Sequence, residues 1–288
     1  MNQEKSSGGR CPAVPRPMTQ GEFKKLGEFI QAEFGIKMPP AKKTMLESRL
    51  AKRLRSLQMT SFDQYREYLF SLKGLELEMP HLVDAVTTNK TDFFREEHHF
   101  DILYNELLPH WIEKNDRGRT FMTWCAGCSS GKEPYSLAMT LEEFAGENSD
   151  FDYNILATDI SGQVLQEARR GVYPEKDAEQ IPPQLRKKYL MRSRDRRRSL
   201  IRMAPELRSR VSFRELNLMQ DFSFREKMDL IMCRNVIIYF ERPVQESLFR
   251  KLCRFMHPGA YLFIGHSETL SGMDLPLQQV RPTVYKKT

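Results

Sequence analysis

No run of apolar residues in this 288-residue chain is long enough to span a bilayer. The first seventeen residues, MNQEKSSGGRCPAVPRP, lack the hydrophobic core of a secretion signal and have the Ser, Gly and Pro content of a disordered arm. The expected location is therefore the cytoplasm, without membrane insertion. Cysteine is scarce. The five present (Cys11, Cys125, Cys128, Cys233 and Cys253) are odd in number and widely spaced, which argues against a disulfide framework. Cys125 and Cys128 form a C-x-x-C pair, but no second Cys or His pair lies at ligand spacing, so no metal is expected. Packing of a tight loop explains small residues there as well as redox chemistry does. Internal repeats are absent.

Hydrophobic residues make up 40% and charged residues 29%, the balance of an ordinary globular protein with room for one large domain and a small one. The net charge of +7 is unevenly placed. Between Arg186 and Arg214 there are twelve Lys or Arg and two acids, leaving 33 basic against 36 acidic residues elsewhere. One segment is basic, and it is expected to meet something acidic. On charge alone that partner could be a peptide or RNA.

The chain is organised around FMTWCAGCSSGKEPYSLAM, residues 121 to 139. Five β-favouring or apolar residues lead into six small ones, and a helical pattern takes over at Glu133. Strand, tight loop and helix make a nucleotide-type site, since small residues permit close approach and the first helical amides carry partial positive charge. The loop does not match G-x-G-x-x-G, so a dinucleotide is not expected. A second strand, NILAT at 154 to 158, ends at Asp159, placed at the carboxyl edge of an open α/β sheet to accept ribose hydroxyls. Capping of the helix that starts near Ser161 is the competing role for Asp159.

Before this unit the pattern is helical. Thr19 and Glu22 form a capping box for a helix to Phe34 carrying Phe23, Leu26, Ile30 and Phe34. After Pro39 and Pro40, Leu46, Leu50, Leu54 and Leu57 form a stripe, with Arg49, Lys52, Arg53 and Arg55 outside it. That basic face is either solvated or a docking surface for an acidic partner. Further helices are predicted over 61–72 (Phe62, Tyr65, Leu69 and Leu72 inward), 75–87 and 100–114. Between the last two, TTNKTDFFRE (87 to 96) places Asn89, Thr91, Asp92 and Arg95 beside Phe93 and Phe94, either a pocket wall or a capping turn.

After Asp159 the pattern predicts a helix over 162–170 and short strands at 189–192 and 199–203 around the charged turn RSRDRRR. Strands follow at 211–216 (ending at Asn217 and Leu218) and 228–233, then RNVIIYF, a helix over 242–256, a His257-Pro258-Gly259 turn, a strand at 260–265 and a last extended piece at 278–286. The alternation gives an α/β fold, a mostly parallel sheet with helices on both faces. Too little chain separates the last two extended pieces for a helical crossover, so they are expected to pair antiparallel.

The ordered set TNKTDFFRE, WCAGCSSGKEPYSLAM, LATDIS, Asn217-Leu218, CRNVIIYF and HPGAYLFIGHSE resembles the CheR family, the chemotaxis receptor methyltransferases, over nearly the whole chain. CAGCSSGKEPYS together with CRNVIIYF is specific to it. The resemblance implies a class I S-adenosylmethionine-dependent methyltransferase fold, mixed and mostly parallel, ending in an antiparallel strand pair. It implies an arm over 1–17, a small all-α domain over 18–90 and a methyltransferase domain over 91–288, with a small antiparallel β-subdomain inserted at about 186–210. The implied reaction is methyl transfer to glutamate carboxylates in the cytoplasmic domain of chemoreceptors, giving methyl esters. The basic subdomain is then expected to bind the receptor's C-terminal peptide. Neither nucleic acid nor a metal is expected, and the protein should act as a monomer. The exocyclic-amine motif N/D-P-P-Y/F is replaced by CRNVIIYF after the fourth strand, and no Pro-Cys dipeptide occurs.

By the same resemblance the cofactor contacts are Asn89, Thr91, Arg95, Glu133, Asp159, Asn217, Leu218, Arg234 and Asn235. Arg95 suits the cofactor's carboxylate, Glu133 its ammonium, Asp159 the ribose and Asn217 with its neighbours the adenine edge. Arg95 and Tyr239 are the candidates for orienting the incoming glutamate. Arg49, Arg53 and Arg55 are the candidates for docking the acidic methylation region of the receptor.

Overall fold

The computed structural model describes residues 15–115 and 118–288. Cys11 and most of the expected arm lie outside the described residues. The chain divides into two compact units, residues 1–87 and 88–288.

The first unit is helical: α1 (Gln20–Phe34), α2 (Lys43–Ser56), α3 (Phe62–Leu69), α4 (Leu72–Leu77) and α5 (Met79–Val86). The capping box is present in full. Glu22 N–H donates to Thr19 Oγ1 at 3.2 Å, and the Glu22 carboxylate accepts from Thr19 N–H at 2.8 Å. Arg16 grips the same carboxylate with two nitrogens, at 2.8 and 2.9 Å, so the chain is already anchored at residue 16, inside the span read as arm. Phe23, Leu26, Ile30 and Phe34 are buried, as are Leu46, Leu50 and Leu54, and each full burial of Leu or Ile contributes about 1.5–3 kcal/mol. The helix expected over 61–72 ends at Leu69 instead. Leu72, expected inward, opens α4 and is 91% exposed. The helix expected over 75–87 is broken by Pro80, which sits in the first turn of α5 where its missing N–H costs nothing.

The second unit opens with α6 (His98–Ile102), a π-helical turn (Leu103–Leu107) and α7 (Leu108–Lys114). A single helix was expected there. Pro109 cannot donate to the carbonyl four residues back, and the widened turn before it absorbs the mismatch. Then come β1 (Thr120–Ala126), α8 (Lys132–Glu147), β2 (Asp152–Asp159), α9 (Gly162–Arg170) and β3 (Val172–Pro174). After these follow α10 (Pro183–Tyr189), β4 (Leu190–Arg192), β5 (Leu200–Met203), α11 (Pro205–Ser209) and β6 (Val211–Glu215). The unit closes with β7 (Met228–Cys233), α12 (Arg242–Arg254), β8 (Met256–Ile264), β9 (Leu277–Arg281) and β10 (Val284–Lys287).

Seven strands form one sheet in the order β6-β2-β1-β7-β8-β10-β9. The first five are parallel, and β10 runs antiparallel to β8 and β9. The expected antiparallel finish is there, but residues 277–287 form a hairpin rather than one strand. β8 starts at Met256, so His257-Pro258-Gly259, read as a turn, lies within an irregular strand whose register against β7 shifts between Met228 and Leu230. Strand order reverses between β1 and β7, which places the ligand crevice of an open α/β sheet at the carboxyl ends of these strands.

A second sheet of three antiparallel strands has the order β3-β5-β4. Two of its strands are those read at 189–192 and 199–203. The third, Val172–Pro174, lies outside the expected insertion at 186–210; three residues are too few to show a period.

Candidate active site

The glycine loop is held by the protein itself. Gly127 and Cys128 N–H both donate to Thr158 O, at 2.8 and 2.9 Å, and Gly131 N–H donates to Cys128 O at 3.0 Å. Ser129, at φ 49°, donates its N–H to Asp159 Oδ2 at 2.7 Å and its hydroxyl to Asn89 O at 2.8 Å. With these amides engaged, the loop lacks the row of open donors that a diphosphate needs. The glycines also have a reason other than ligand approach. A Cβ on Gly127, at φ 83°, would stand 2.4 Å from Val236 Cγ2, and one on Gly131 2.7 Å from Ala168 Cβ.

Asp159 ends β2 and is buried. It accepts from Ser129 N–H and, through Oδ1, from Ser161 N–H at 3.0 Å. The cap of α9 is Ser161, whose hydroxyl accepts from Val164 N–H, so Asp159 is the clasp between two loops rather than the helix cap. Its backbone carbonyl accepts from Leu216 N–H at 2.9 Å, bringing Asn217 and Leu218 to the same edge. Asn217 Oδ1 turns the chain by accepting from Met219 N–H at 2.9 Å. Lys251 of α12 caps this loop through the carbonyls of Leu218, Met219 and Gln220.

Glu133 and Arg234, both expected against the cofactor, are bound to each other. Arg234 Nε donates to Glu133 Oε2 at 2.7 Å, and its Nη1 reaches Arg95 O at 2.8 Å and His99 Nδ1 at 2.9 Å. The Arg234 side chain is 1% exposed and stacks its charge 5.5 Å from the Phe100 ring. It ties the exit of β7 to α8 and to the junction segment. That segment is also pinned by Phe94 N–H on Ser136 Oγ at 2.9 Å, with Phe93 buried and edge-on to Tyr173 at 5.1 Å. Asn89 and Thr91 sit half-buried at its start. The Arg95 side chain is exposed, and among the described residues its guanidinium has no hydrogen-bond or ion-pair partner.

Asn235 follows in the left-handed conformation, φ 59°. Its N–H and that of Ile237 donate to the two oxygens of Glu268, at 2.9 and 3.0 Å, and Gly265 N–H donates to Oε2 at 2.6 Å. Burial raises the Glu268 carboxyl above its ordinary range, against the lowering effect of those amides. Glu268 carried no role in the sequence reading; its signal was a carboxylate three residues after Gly265, at the spacing of a cap. His99 was missed as well. It is fully buried between Arg234 and Thr283 Oγ1 (2.8 Å), and burial with the nearby guanidinium holds its imidazole down to about 2. Tyr239 ends a short 3-10 turn just past Asn235 and is half-buried. The Cys125 and Cys128 thiols are buried, unbonded to each other and pushed well up by burial, the state of packing residues rather than reactive thiolates. Among the described residues no group of three or more His, Cys, Asp or Glu could hold a metal ion.

The candidate docking arginines lie in the helical unit, where two have other work. Arg53 is paired with the buried Glu78 through Nε and Nη2, at 2.9 and 2.6 Å, and Arg49 Nη1 donates to the carbonyls of Ala85 and Thr87. Arg55 is exposed, and among the described residues it bonds only the Ala51 carbonyl of its own helix.

Residues 89–286 match the family model described as CheR methyltransferase, SAM binding domain, and residues 21–87 match its all-alpha domain. The chain belongs to the CheR methyltransferase family. A chemotaxis protein methyltransferase of Borreliella burgdorferi is 40% identical over 274 residues, covering 94% of this chain and 95% of that protein. Chemotaxis protein methyltransferase 2 of Pseudomonas aeruginosa is 37% identical over 268 residues (93% of each). The Escherichia coli chemotaxis protein methyltransferase is 34% identical over 269 residues (93% and 91%). This CheR chain therefore has the class I fold with an all-α domain ahead of it, and is an S-adenosylmethionine-dependent methyltransferase of chemotaxis. No helix among the described residues is long and apolar enough to cross a membrane.

Proposed function

We propose that this CheR protein methylates glutamate side chains in the cytoplasmic domain of chemoreceptors, forming methyl esters. The observation that carries the reading is the exposed Arg95 guanidinium, unpaired among the described residues, whose own carbonyl is held by the buried Arg234–Glu133 pair. It offers a fork of donors to a carboxylate at the carboxyl edge of the sheet.

The chain's residues fit the cofactor. Its ammonium suits Glu133, because a carboxylate offers about four acceptor sites and Arg234 leaves some of them open. Asp159, at the same edge and between the loops it clasps, is the proposed partner of the ribose hydroxyls. Asn217 and Leu218 border the adenine side, with Asn89, Thr91 and Asn235 shaping the rest. S-adenosylmethionine, when bound, supplies an electrophilic methyl group. A glutamate with an ordinary pKa of about 4.3 is already an anion at neutral pH, so the protein needs no general base. What it supplies is orientation and removal of water. Arg95 and Tyr239 are the proposed orienting groups. One guanidinium cannot fully serve two carboxylates, and Arg95→Ala separates the roles: a raised cofactor Kd assigns it to the cofactor, a raised receptor KM at unchanged Kd to the glutamate.

The receptor's C-terminal peptide would add to the three-stranded sheet, whose edge strand β4 borders a cavity of about 780 Å3 lined by Arg186, Lys187 and Arg192 together with Glu175 and Glu179. Arg49, Arg53 and Arg55 complete the proposal as guides for the acidic methylation region.

The test is transfer of labelled methyl from S-adenosylmethionine to membranes containing chemoreceptors, followed by mild base. Release of the label as methanol is expected, since carboxyl methyl esters are base-labile. Base-stable label, or none despite cofactor binding, overturns the assignment.

A further inference from the structure

A cavity of about 280 Å3 lies at the other edge of the large sheet, where β1, β7 and β8 begin. The chain's chemistry is expected at the carboxyl ends of these strands, so this pocket belongs to no part of the methyl-transfer site. The π-helical turn and α7 form its roof, and Leu103, Leu107, Phe121 and Tyr261 give it an apolar, partly aromatic lining.

The walls are rich in nitrogen. His110 and Lys114 come from α7, Arg119 from just before β1, His257 from β8 and Lys286 from β10. Among the described lining residues one carboxylate faces them, Asp229, and it is already engaged by Arg119 and by Met122 N–H at 3.0 Å. Burial keeps the His257 imidazole below its ordinary range, so the charge comes from Lys114, Arg119 and Lys286, with Asp229 balancing one of the three. Lys286 holds its ammonium 5.6 Å from the Tyr261 ring centroid. Among the described residues neither imidazole has a hydrogen-bond partner, and Lys286 has no ion pair. Among the described residues Trp111 Nε1, on the same wall, is a buried donor without an acceptor. Donors brought in from four separate segments, with too few acceptors to meet them, describe the complement of an anion. The apolar lining beside them describes the complement of a flat ring.

We propose that this amino-edge pocket binds a small organic anion carrying a flat ring, of nucleoside monophosphate size or smaller. The anionic group lies toward Lys286, Lys114 and His257, and the ring lies against Leu107, Phe121 and Tyr261. A bare inorganic anion would leave most of the volume and all of the apolar lining unused.

The test uses the full chain with its cofactor site saturated by S-adenosylhomocysteine, titrated in a calorimeter with adenosine 5′-monophosphate and with salicylate, two ring anions of different size. Inorganic phosphate and adenosine are the fragment controls. The expected result is one site per chain for at least one ring anion, at least tenfold tighter than either control, with the His257 ring resonances moving on binding. Lys114→Glu with Lys286→Glu should weaken it at least tenfold, while the thermal midpoint and methyl transfer are unchanged. No saturable binding of either ring anion at millimolar concentration overturns the proposal. So does binding that the double charge reversal leaves intact, or phosphate binding as tightly as the ring anions.

Discussion

Arg234 Nε lies 2.7 Å from Glu133 Oε2, and both side chains are largely withdrawn from water. Removing one member of such a pair strands the other charge, at a cost of about 3–5 kcal/mol. Arg234→Met should therefore lower the thermal midpoint and weaken S-adenosylmethionine binding together, since Glu133 and the Arg95 backbone lose the same support. Arg234→Lys should recover only part, because an ammonium cannot reach Glu133, Arg95 O and His99 at once. Full recovery of both properties in the lysine variant, measured by calorimetry, would contradict this account.

Glu268 joins the exits of β7 and β8 by accepting from Asn235, Ile237 and Gly265 N–H groups. Glu268→Gln keeps the shape but turns an amide NH2 toward backbone donors. Leaving one buried donor unmatched costs about 1–3 kcal/mol. We expect a lower thermal midpoint and a slower methyl-transfer rate, because Asn235 and Tyr239 lie on the loop that Glu268 holds. An unchanged rate in a variant of reduced stability would show that the loop does not orient either substrate.

Gly127→Ala should abolish cofactor binding at micromolar concentrations while leaving the fold intact by circular dichroism. The added methyl meets Val236 at 2.4 Å in a backbone conformation that alanine disfavours. Gly127→Ala with Val236→Ala removes the clash but not the strain. Partial return of binding in the double variant is the expected reading, and complete return would assign the defect to the clash alone.

What was legible in the sequence followed from strong local signals. The capping box at Thr19 and Glu22, the period of Leu46, Leu50 and Leu54, and the run MDLIMC each fix an element almost alone. The errors fall where tertiary contact or a single proline decides: Leu72 starts a new helix, Pro109 forces a π-helical turn, and Val172–Pro174 is a strand only because Leu200–Met203 pairs with it. The candidate site was legible as a set of residue types, since Asp159, Glu133 and Arg234 stand at strand and helix ends that the pattern locates. Their pairing was not. Nothing at positions 133 and 234 reveals that the two side chains meet, or that Glu268 collects amides from the distant loop after β7 as well as from its own.

The buried His99 gives the catalytic unit a pH dependence of definite sign. Its imidazole is held near 2 in the folded chain, by burial first and by Arg234 next, and titrates at about 6.5 when unfolded. Below pH 6.5 the unfolded chain takes up a proton that the folded chain refuses, so this contribution is complete above pH 6.5 and is lost as the pH falls toward 2. The slope is up to about 1.4 kcal/mol per pH unit. His99→Gln removes the titrating group. Its stability should depend less steeply on pH between 6.5 and 5 than that of the unaltered protein, as measured by urea midpoints at each pH; parallel slopes would refute the assignment.

The three arginines of α2 should part company when each is changed. Arg53 holds the buried Glu78 through two nitrogens, and Tyr65 donates its hydroxyl to the same carboxylate at 3.1 Å. Arg53→Ala should therefore destabilise the helical unit by about 3–5 kcal/mol, so a loss of methylation in that variant does not by itself report docking. Arg49→Ala frees two carbonyls near the end of the unit, which water can satisfy, for about 1 kcal/mol. Arg55 is exposed and, among the described residues, holds nothing outside its own helix, so Arg55→Glu should leave the thermal midpoint unchanged. If the basic face guides the acidic methylation region, that reversal should raise the receptor KM several-fold at 50 mM salt, with the gap to the unaltered protein closing toward 500 mM as screening removes the attraction. The turnover number should hold in both conditions. A KM indifferent to Arg55→Glu at low salt would remove α2 from the docking surface and leave its arginines as parts of the helical unit's own structure.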